Sequence, residues 1–247
     1  MSPGSAPSTT RAHLGRRVAI VTGASQGIGA GLTDAFLRLG YAVVGTSRSI
    51  APTDRSELVT VRGDITAPAT AEAVVTQAME RFGRIDSLVN NAGVFMGKPF
   101  TEYTVDDFTA VTKLNLAGFF HITQRVIPHM VAQGSGHIVN ITTSLVDNPD
   151  ARTPAALTSL TKGGLAAVTR SLAIEYASHG VRVNAVSPGI IQTPAHDPDT
   201  YAGLAALHPL DRLGDIEDIV EGVLYLERAS FVTGEILHID GGQAAGH

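Results

Sequence analysis

No cysteine occurs among the 247 residues, so a disulfide framework and thiolate catalysis are both excluded. A zinc site would have to come from His and carboxylates alone. None of the nine His stands in an H-x-x-x-H pair, and no metal is expected. No run of about 18 apolar residues occurs, which predicts no membrane-spanning helix. The opening stretch "MSPGSAPSTTRAHLG" lacks the apolar core of a secretory signal, so residues 1–14 are expected to form a flexible tail and the address to be cytoplasmic. Basic residues are scattered and the formal net charge is -5, which argues against a nucleic-acid partner.

What is present suits one large core. With 44% hydrophobic and 17% charged residues, residues 15–247 are expected to fold as a single domain. Short apolar runs alternate with segments of helical spacing. "RRVAIVTG", "YAVVGTS", "LVTVRGD", "IDSLVNNAG", "GHIVNIT", "VRVNAVSPG" and "GEILHID" read as strands. Between them, helices are predicted at "GIGAGLTDAFLRLG", at "ATAEAVVTQAMERFG" closed by Gly83, at "LTKGGLAAVTRSLAIEYASHG" ending at Gly180, and at "DIEDIVEGVLYLE". The longest helix is expected over Thr104 to Gln133, opened by a capping box of weakened form at Thr104 and Asp107. Such alternation predicts an α/β protein with a mostly parallel sheet covered by helices on both faces. Ligands of these sheets bind beyond the C-terminal strand ends, where the strand order reverses.

The chemical motifs fall at those ends. "TGASQGIG" carries glycines at positions 23, 27 and 29, directly after the first strand. Glycine there removes the Cβ that would block a pyrophosphate, and the amides of the next helix direct partial positive charge at it. Residues of this turn expected to meet a dinucleotide are Gly23, Ser25, Gln26, Gly27, Ile28 and Gly29. After the second strand, "GTSRS" offers Ser47, Arg48 and Ser49 and no carboxylate. Arg48 suits charge-assisted bonds to a 2′-phosphate, so NADP(H) is the expected cofactor.

Gly23-x-x-x-Gly27-x-Gly29, "NNAG" at Asn90 to Gly93 and "SPG" at Ser187 to Gly189 together resemble the motif set of the short-chain dehydrogenase/reductase family. The similarity runs from about Arg17 to Gly242. By resemblance the fold is a Rossmann-type doubly wound parallel sheet of about seven strands, and the activity is nicotinamide-dependent oxidoreduction. The resemblance further implies that Asp64 and Ile65 border adenine, and that Asn91, Ala92, Gly93, Pro188, Gly189, Ile191 and Thr193 complete the cofactor site, with Thr193 able to bond the carboxamide.

Catalysis in that family uses Asn, Ser, Tyr and Lys. Asn115 matches the Asn whose helix kinks to hold a water, and Lys162 matches the lysine that holds the nicotinamide ribose and lowers the tyrosine's pKa. The serine's place holds Thr143 with Ser144 adjacent, so either can be the hydroxyl. Four residues before Lys162, where the tyrosine should stand, is Thr158. A phenol of ordinary pKa about 10 can be brought near neutrality by an ammonium, whereas an aliphatic hydroxyl cannot.

Three readings follow. The chain reduces ordinary ketones with a substitute proton source (water on the Asn115 and Lys162 relay, Tyr201, His196 or His208); or it reduces an imine, iminium or activated carbonyl that needs little acid; or it binds dinucleotide without turnover. The intact cofactor motifs favour redox activity. The substrate is expected to be small and largely apolar, because the lid "TPAHDPDTYAGLAALHPL" is rich in Ala and Leu. Apolar residues on more than one helix face (Phe119, Phe120, Ile127, Met130; Leu165, Val168, Leu172, Tyr176), together with the resemblance, imply a homotetramer.

Overall fold

In a computed structural model that describes residues 15–194 and 197–246, seven parallel strands lie in the order β3-β2-β1-β4-β5-β6-β7. They are β1 (Val18–Thr22), β2 (Ala42–Ser47), β3 (Leu58–Arg62), β4 (Ser87–Asn90), β5 (Gly136–Ile141), β6 (Val181–Pro188) and β7 (Ile236–Ile239). The expected tail, residues 1–14, lies outside the described residues, as do Ala195, His196 and His247. Both β1 and β4 are buried along their whole length, which is why their sequences read as continuous apolar runs instead of alternating.

Helices α1 (Gly27–Arg38) and α7 (Ile216–Arg228) cover one face, packing Leu32, Phe36, Ile219 and Val223 onto Ala19, Val21 and Val43. The other face receives α2 (Pro68–Phe82), α4 (Gly118–Gln133) and α5 (Ala156–Tyr176), through Val74, Ile122, Met130 and Ala173. This is the doubly wound α/β arrangement anticipated from the alternation. The order reverses between β1 and β4, so their C-terminal ends open the crevice in which such sheets take ligands.

The helix from Thr104 is not uniform. It starts as α3 (Val105–Thr112) behind a complete capping box, Thr104 with Asp107, where a weakened one was expected. Lys98 Nζ, 2.6 Å from Asp107, tightens the loop before it and holds that carboxyl down at about 2. A π-helical turn then spans Lys113–Ala117 before α4 resumes. Single π turns inside helices mark places where a side chain must be re-aimed, and here it is Asn115. A five-residue helix, α6 (Tyr201–Ala205), stands in the irregular segment before α7.

Of the apolar residues carried on more than one helix face, several lie in the chain's own core. Ile127 and Met130 pack into the core against the sheet, and Leu165 is almost fully buried as well. Phe120, by contrast, is 52% exposed. Among the described residues, no helix is long and apolar enough to cross a membrane.

At the N-terminal edge of the sheet, away from the crevice, Glu227 gathers a polar network. His137 Nδ1 lies 2.7 Å from one carboxylate oxygen, and Tyr41 donates to the other at 2.7 Å. Asn184 fixes the tautomer. Its carbonyl accepts from Glu235 N, so its amide must donate to His137 Nε2, which leaves the proton on Nδ1 and the ring neutral. Burial alone would raise the Glu227 carboxyl, but the bonds from His137 and Tyr41 hold it at about 2; burial pushes the His137 imidazole down.

Both shifts act in one direction. The unfolded chain binds more protons at acid pH, so stability should decline as pH falls below about 6.5, the ordinary histidine value. It should decline further from the ordinary carboxyl range toward 2. Glu227→Gln, which cannot accept from both donors, should lower the urea midpoint at pH 7 and remove the carboxyl part of the decline, below about pH 4.5. Urea titrations of both proteins from pH 7 down to about 3 check this, and parallel curves below about pH 4.5 would show the carboxylate to be neutral to pH.

Candidate active site

Four segments meet at the reversal point. The turn after β1 is stitched to the loop after β4 by Thr22, whose Oγ1 accepts from Asn91 N and Ala92 N at 3.0 Å each. The Asn91 side-chain amide donates to Thr22 O at 2.9 Å, so its side chain braces the turn. A Cβ on Gly29 would fall on the Gly23 carbonyl oxygen, within the turn's own backbone. Only glycine lets α1 begin that close.

The start of α1 has open donors. Its N-cap, Gln26, makes no side-chain cap bond, and the first turn holds no acidic residue, so its free amides remain unopposed for an anion. Ser25 Oγ is 3.2 Å from Ser49 Oγ, which ties the glycine turn to the loop after β2. In that loop Ser47 is half-buried and Arg48 is exposed. Asp64 lies exposed at the same rim. Its carboxyl is held below the ordinary range first by the Thr66 backbone N–H, with Arg48 and Lys113 contributing charge. Ile65 is buried, packed against Gly118 of α4, so its side chain belongs to the wall behind the rim.

Arg62 was not anticipated. The parallel register sets it opposite Ser47, and its Nε donates to the Arg48 carbonyl at 2.9 Å. Two guanidinium-bearing residues therefore share the rim. The register of two strands separated by a loop is what brings them together, and that register is not readable from either strand alone.

At the other end of the crevice, Lys162 on α5 is buried and its Nζ donates to the Ile141 carbonyl at 2.7 Å. Burial lowers its pKa to about 8. A Cβ on Gly93 would lie 2.9 Å from that Nζ and 3.1 Å from Asn115 Oδ1, so "NNAG" and the lysine enclose a space that glycine keeps open. Asn115 itself is fixed: it accepts from Val94 N, and donates to Val94 O and to Thr161 Oγ1. Asn115, Lys162 and Gly93 thus converge.

The two hydroxyl candidates after β5 separate. Ser144 is buried and donates to Gln243 Oε1 at 2.6 Å, so its proton is committed to the C-terminal segment. Among the described residues, half-buried Thr143 Oγ1 only accepts, from Leu145 N at 3.4 Å, which leaves its proton for a ligand. Geometry therefore favours Thr143 as the donor.

Thr158 is 1% exposed. Its Oγ1 accepts from Met96 N at 3.0 Å and donates to Met96 O at 3.1 Å, a closed exchange with one backbone residue. Nothing in that exchange delivers a proton outward. His208, a candidate proton source, is also occupied: Nε2 accepts from Ile190 N at 2.9 Å, and Nδ1 faces the Leu204 carbonyl at 3.1 Å. With one nitrogen accepting and the other donating, the ring clamps the segment after β6 to α6 and is removed as an acid. His196 lies outside the described residues. Tyr201 opens α6.

Of the remaining cofactor candidates, Pro188 ends β6, and Gly189 N continues its ladder to Ile239 O. Ile191 is buried and bridges Gly214. Thr193 reaches across to the glycine turn, where a Cβ on Gly27 would stand 3.5 Å from its Cγ2. The segments after β1 and β6 therefore face each other across the crevice, and a glycine cradle with an uncapped helix start fits a dinucleotide pyrophosphate.

The family model described as enoyl-(acyl carrier protein) reductase matches residues 23–244. The chain belongs to the short-chain dehydrogenase/reductase family. It is 34% identical over 246 residues to a 3-oxoacyl-[acyl-carrier-protein] reductase of Thermotoga maritima, covering 93% of this chain and 98% of that one. It is also 37% identical over 244 residues to the cis-4-hydroxycyclohexanecarboxylate dehydrogenase of Sinomonas cyclohexanicum, covering 93% and 97%. Among solved structures, ElxO with NADP bound superposes with a TM-score of 0.87 at 28% identity, over 94% of this chain and all of that one. The 3-ketoacyl-(acyl-carrier-protein) reductase of Brucella melitensis complexed with NADH gives 0.86 at 30% identity, over the same shares. This short-chain dehydrogenase/reductase is accordingly an NAD(P)-dependent oxidoreductase.

Proposed function

We propose that this chain is an NADP(H)-dependent reductase acting on an imine, iminium or activated carbonyl of a small, largely apolar organic molecule. The observation that carries the reading is Thr158: a buried hydroxyl, at the position from which the family draws its proton, is closed on the Met96 backbone in both directions. An iminium carbon is already cationic and needs no proton before it is reduced. An activated carbonyl takes hydride readily even when its proton comes from a donor set away from that position.

When bound, the reduced dinucleotide supplies the hydride. The protein's share is placement. Residues Gly23 to Gly29 hold the pyrophosphate, the "NNAG" glycine gives the ribose room beside Lys162, and Ile191 and Thr193 close over the nicotinamide. Thr143 donates a hydrogen bond to a carbonyl oxygen or a neutral imine nitrogen, and Lys162 donates to the ribose. The reading includes a homotetramer, supported by exposed Phe108, Phe120, Leu160 and Ile174 along α3, α4 and α5.

Substrate preference tests the reading. Oxidation of NADPH, followed by its absorbance, should be faster with N-methyl dihydroisoquinolinium and with ethyl pyruvate than with acetophenone. The expected deficit on the plain ketone is about 10²–10⁴-fold, the usual contribution of a general acid. Equal rates on acetophenone and the iminium overturn it.

Cofactor choice rests on the rim. NADPH should bind more tightly than NADH, and Arg48→Ala should cost about 1.5–3 kcal/mol against NADPH with little change for NADH. Arg62→Ala should weaken NADPH in the same sense and by less, because its Nε already serves the Arg48 carbonyl. Fluorescence titration of both cofactors measures this; equal affinities in the parent protein would remove the 2′-phosphate from the argument.

A further inference from the structure

The carbonyl that closes Thr158 accepts a second hydrogen bond. Tyr103, which ends the short turn Phe100–Glu102 just before α3, donates its phenol to Met96 O at 2.8 Å. Thr158 Oγ1 donates to the same oxygen at 3.1 Å, so the phenol oxygen and the threonine oxygen are less than 6 Å apart. A phenol therefore stands beside the place where a phenol is missing, carried by a different segment. Thr158 lies one helical turn before Lys162, on the same face of α5.

Three features make this phenol usable. Thr158 is buried, whereas Tyr103 is only half-buried, so part of its side chain is open to solvent. If the phenol turns from Met96 O toward a substrate atom, Thr158 still satisfies that carbonyl, and no buried acceptor is left unpaired. The segment is also held in place. Lys98 pairs with Asp107 at 2.6 Å and places its ammonium 5.6 Å from the Tyr103 ring centroid, while Phe100 packs edge-on against the same ring at 6.3 Å.

We infer that Tyr103 is the catalytic proton donor for activated carbonyl substrates, its phenol taking over in part from the position that Thr158 has vacated. The inference rests on the reductase reading above. In the step, the carbonyl carbon takes a hydride from the reduced nicotinamide and its C=O electron pair moves onto oxygen. That oxygen takes the Tyr103 proton. The carbonyl becomes an alcohol, the dinucleotide is oxidised, and water returns a proton to the phenolate. An iminium substrate needs only the hydride, and Tyr103 has no part in its reduction.

Tyr103→Phe separates the two cases while keeping the ring, its contact with Lys98 and its packing on Phe100. With ethyl pyruvate, kcat should fall about 10²-fold or more. With N-methyl dihydroisoquinolinium, it should change by less than about threefold, within what loss of one neutral hydrogen bond entails. An equal loss on both probes would assign Tyr103 a structural role, and an unchanged rate on ethyl pyruvate would remove it from the proton path; either overturns the inference.

A binding readout stands apart from turnover. In NMR of protein carrying ring-labelled tyrosine, the Tyr103 signal is the one absent from Tyr103→Phe. Ethyl pyruvate added to the complex with oxidised NADP should move that signal, because the phenol leaves Met96 O for the ketone. A stationary signal overturns the inference whatever the rates. Movement of the signal without NADPH oxidation by either probe would instead support the placement of Tyr103 and refute the reductase reading.

Discussion

Gly29→Ala is expected to abolish binding of NADPH and NADH together. The added methyl would fall on the Gly23 carbonyl oxygen and stand 2.6 Å from the Asn91 amide, both parts of the turn that forms the phosphate cradle. Neither can swing aside as a flexible side chain would: one is backbone, and the other is bonded to Thr22 O. The start of α1 must therefore move away from β1, and its open amides move with it. Gly203→Ala, in α6 with nothing near its added Cβ, is the matching control and should bind both cofactors normally. Isothermal titration with circular dichroism as the check on folding decides the matter. A folded Gly29→Ala protein with normal affinity places the phosphate site elsewhere.

That cradle was readable because it is local. Turn chemistry, strand and helix start lie within about one dozen consecutive residues, and the glycine spacing follows from the approach of one backbone to another. The sheet was legible for a similar reason: strands covered on both faces must be apolar throughout. Helix continuity was less so. Thr104 to Gln133 keeps helical spacing across Lys113–Ala117, and periodicity cannot register a π turn that returns to phase; the resemblance alone singled out Asn115.

Residues whose role depends on distant partners were the least legible. His208 reads as a free lid histidine until the chain folds and brings Ile190 N to its ring. Ser144 and Thr143 are equivalent as sequence and differ only because Gln243, near the C-terminus, captures one of them. Arg62 and Tyr103 carried no motif at all, since strand register delivers the first and a loop delivers the second. The threonine four residues before Lys162 was plain in the sequence; what stands near it was not.

Lys162→Met is expected to reduce turnover about 10³-fold or more on every substrate, the scale of losing a charged donor in a water-excluded site. The same substitution should leave the fold at least as stable at pH 7. Burial lowers the Lys162 pKa to about 8, so the folded state holds the ammonium at a cost below that pH. That cost diminishes as pH rises from about 8 toward the ordinary lysine value of 10.5. Methionine fills similar volume without the charge. Thr158→Ala should show the opposite division. Its hydroxyl closes a buried exchange with Met96, so removal leaves that amide and carbonyl less satisfied and should destabilise by about 1–3 kcal/mol. Turnover of N-methyl dihydroisoquinolinium should change less than about tenfold, since no proton passes through Thr158. Denaturant midpoints and single-substrate kinetics on the two variants test the contrast. A loss beyond about a hundredfold in Thr158→Ala, with folding intact, would place Thr158 itself in the proton path. The expected pattern instead assigns the two residues, one helical turn apart on α5, to separate tasks: Lys162 is retained for chemistry at the expense of stability, and Thr158 for the loop that carries Met96 and Tyr103.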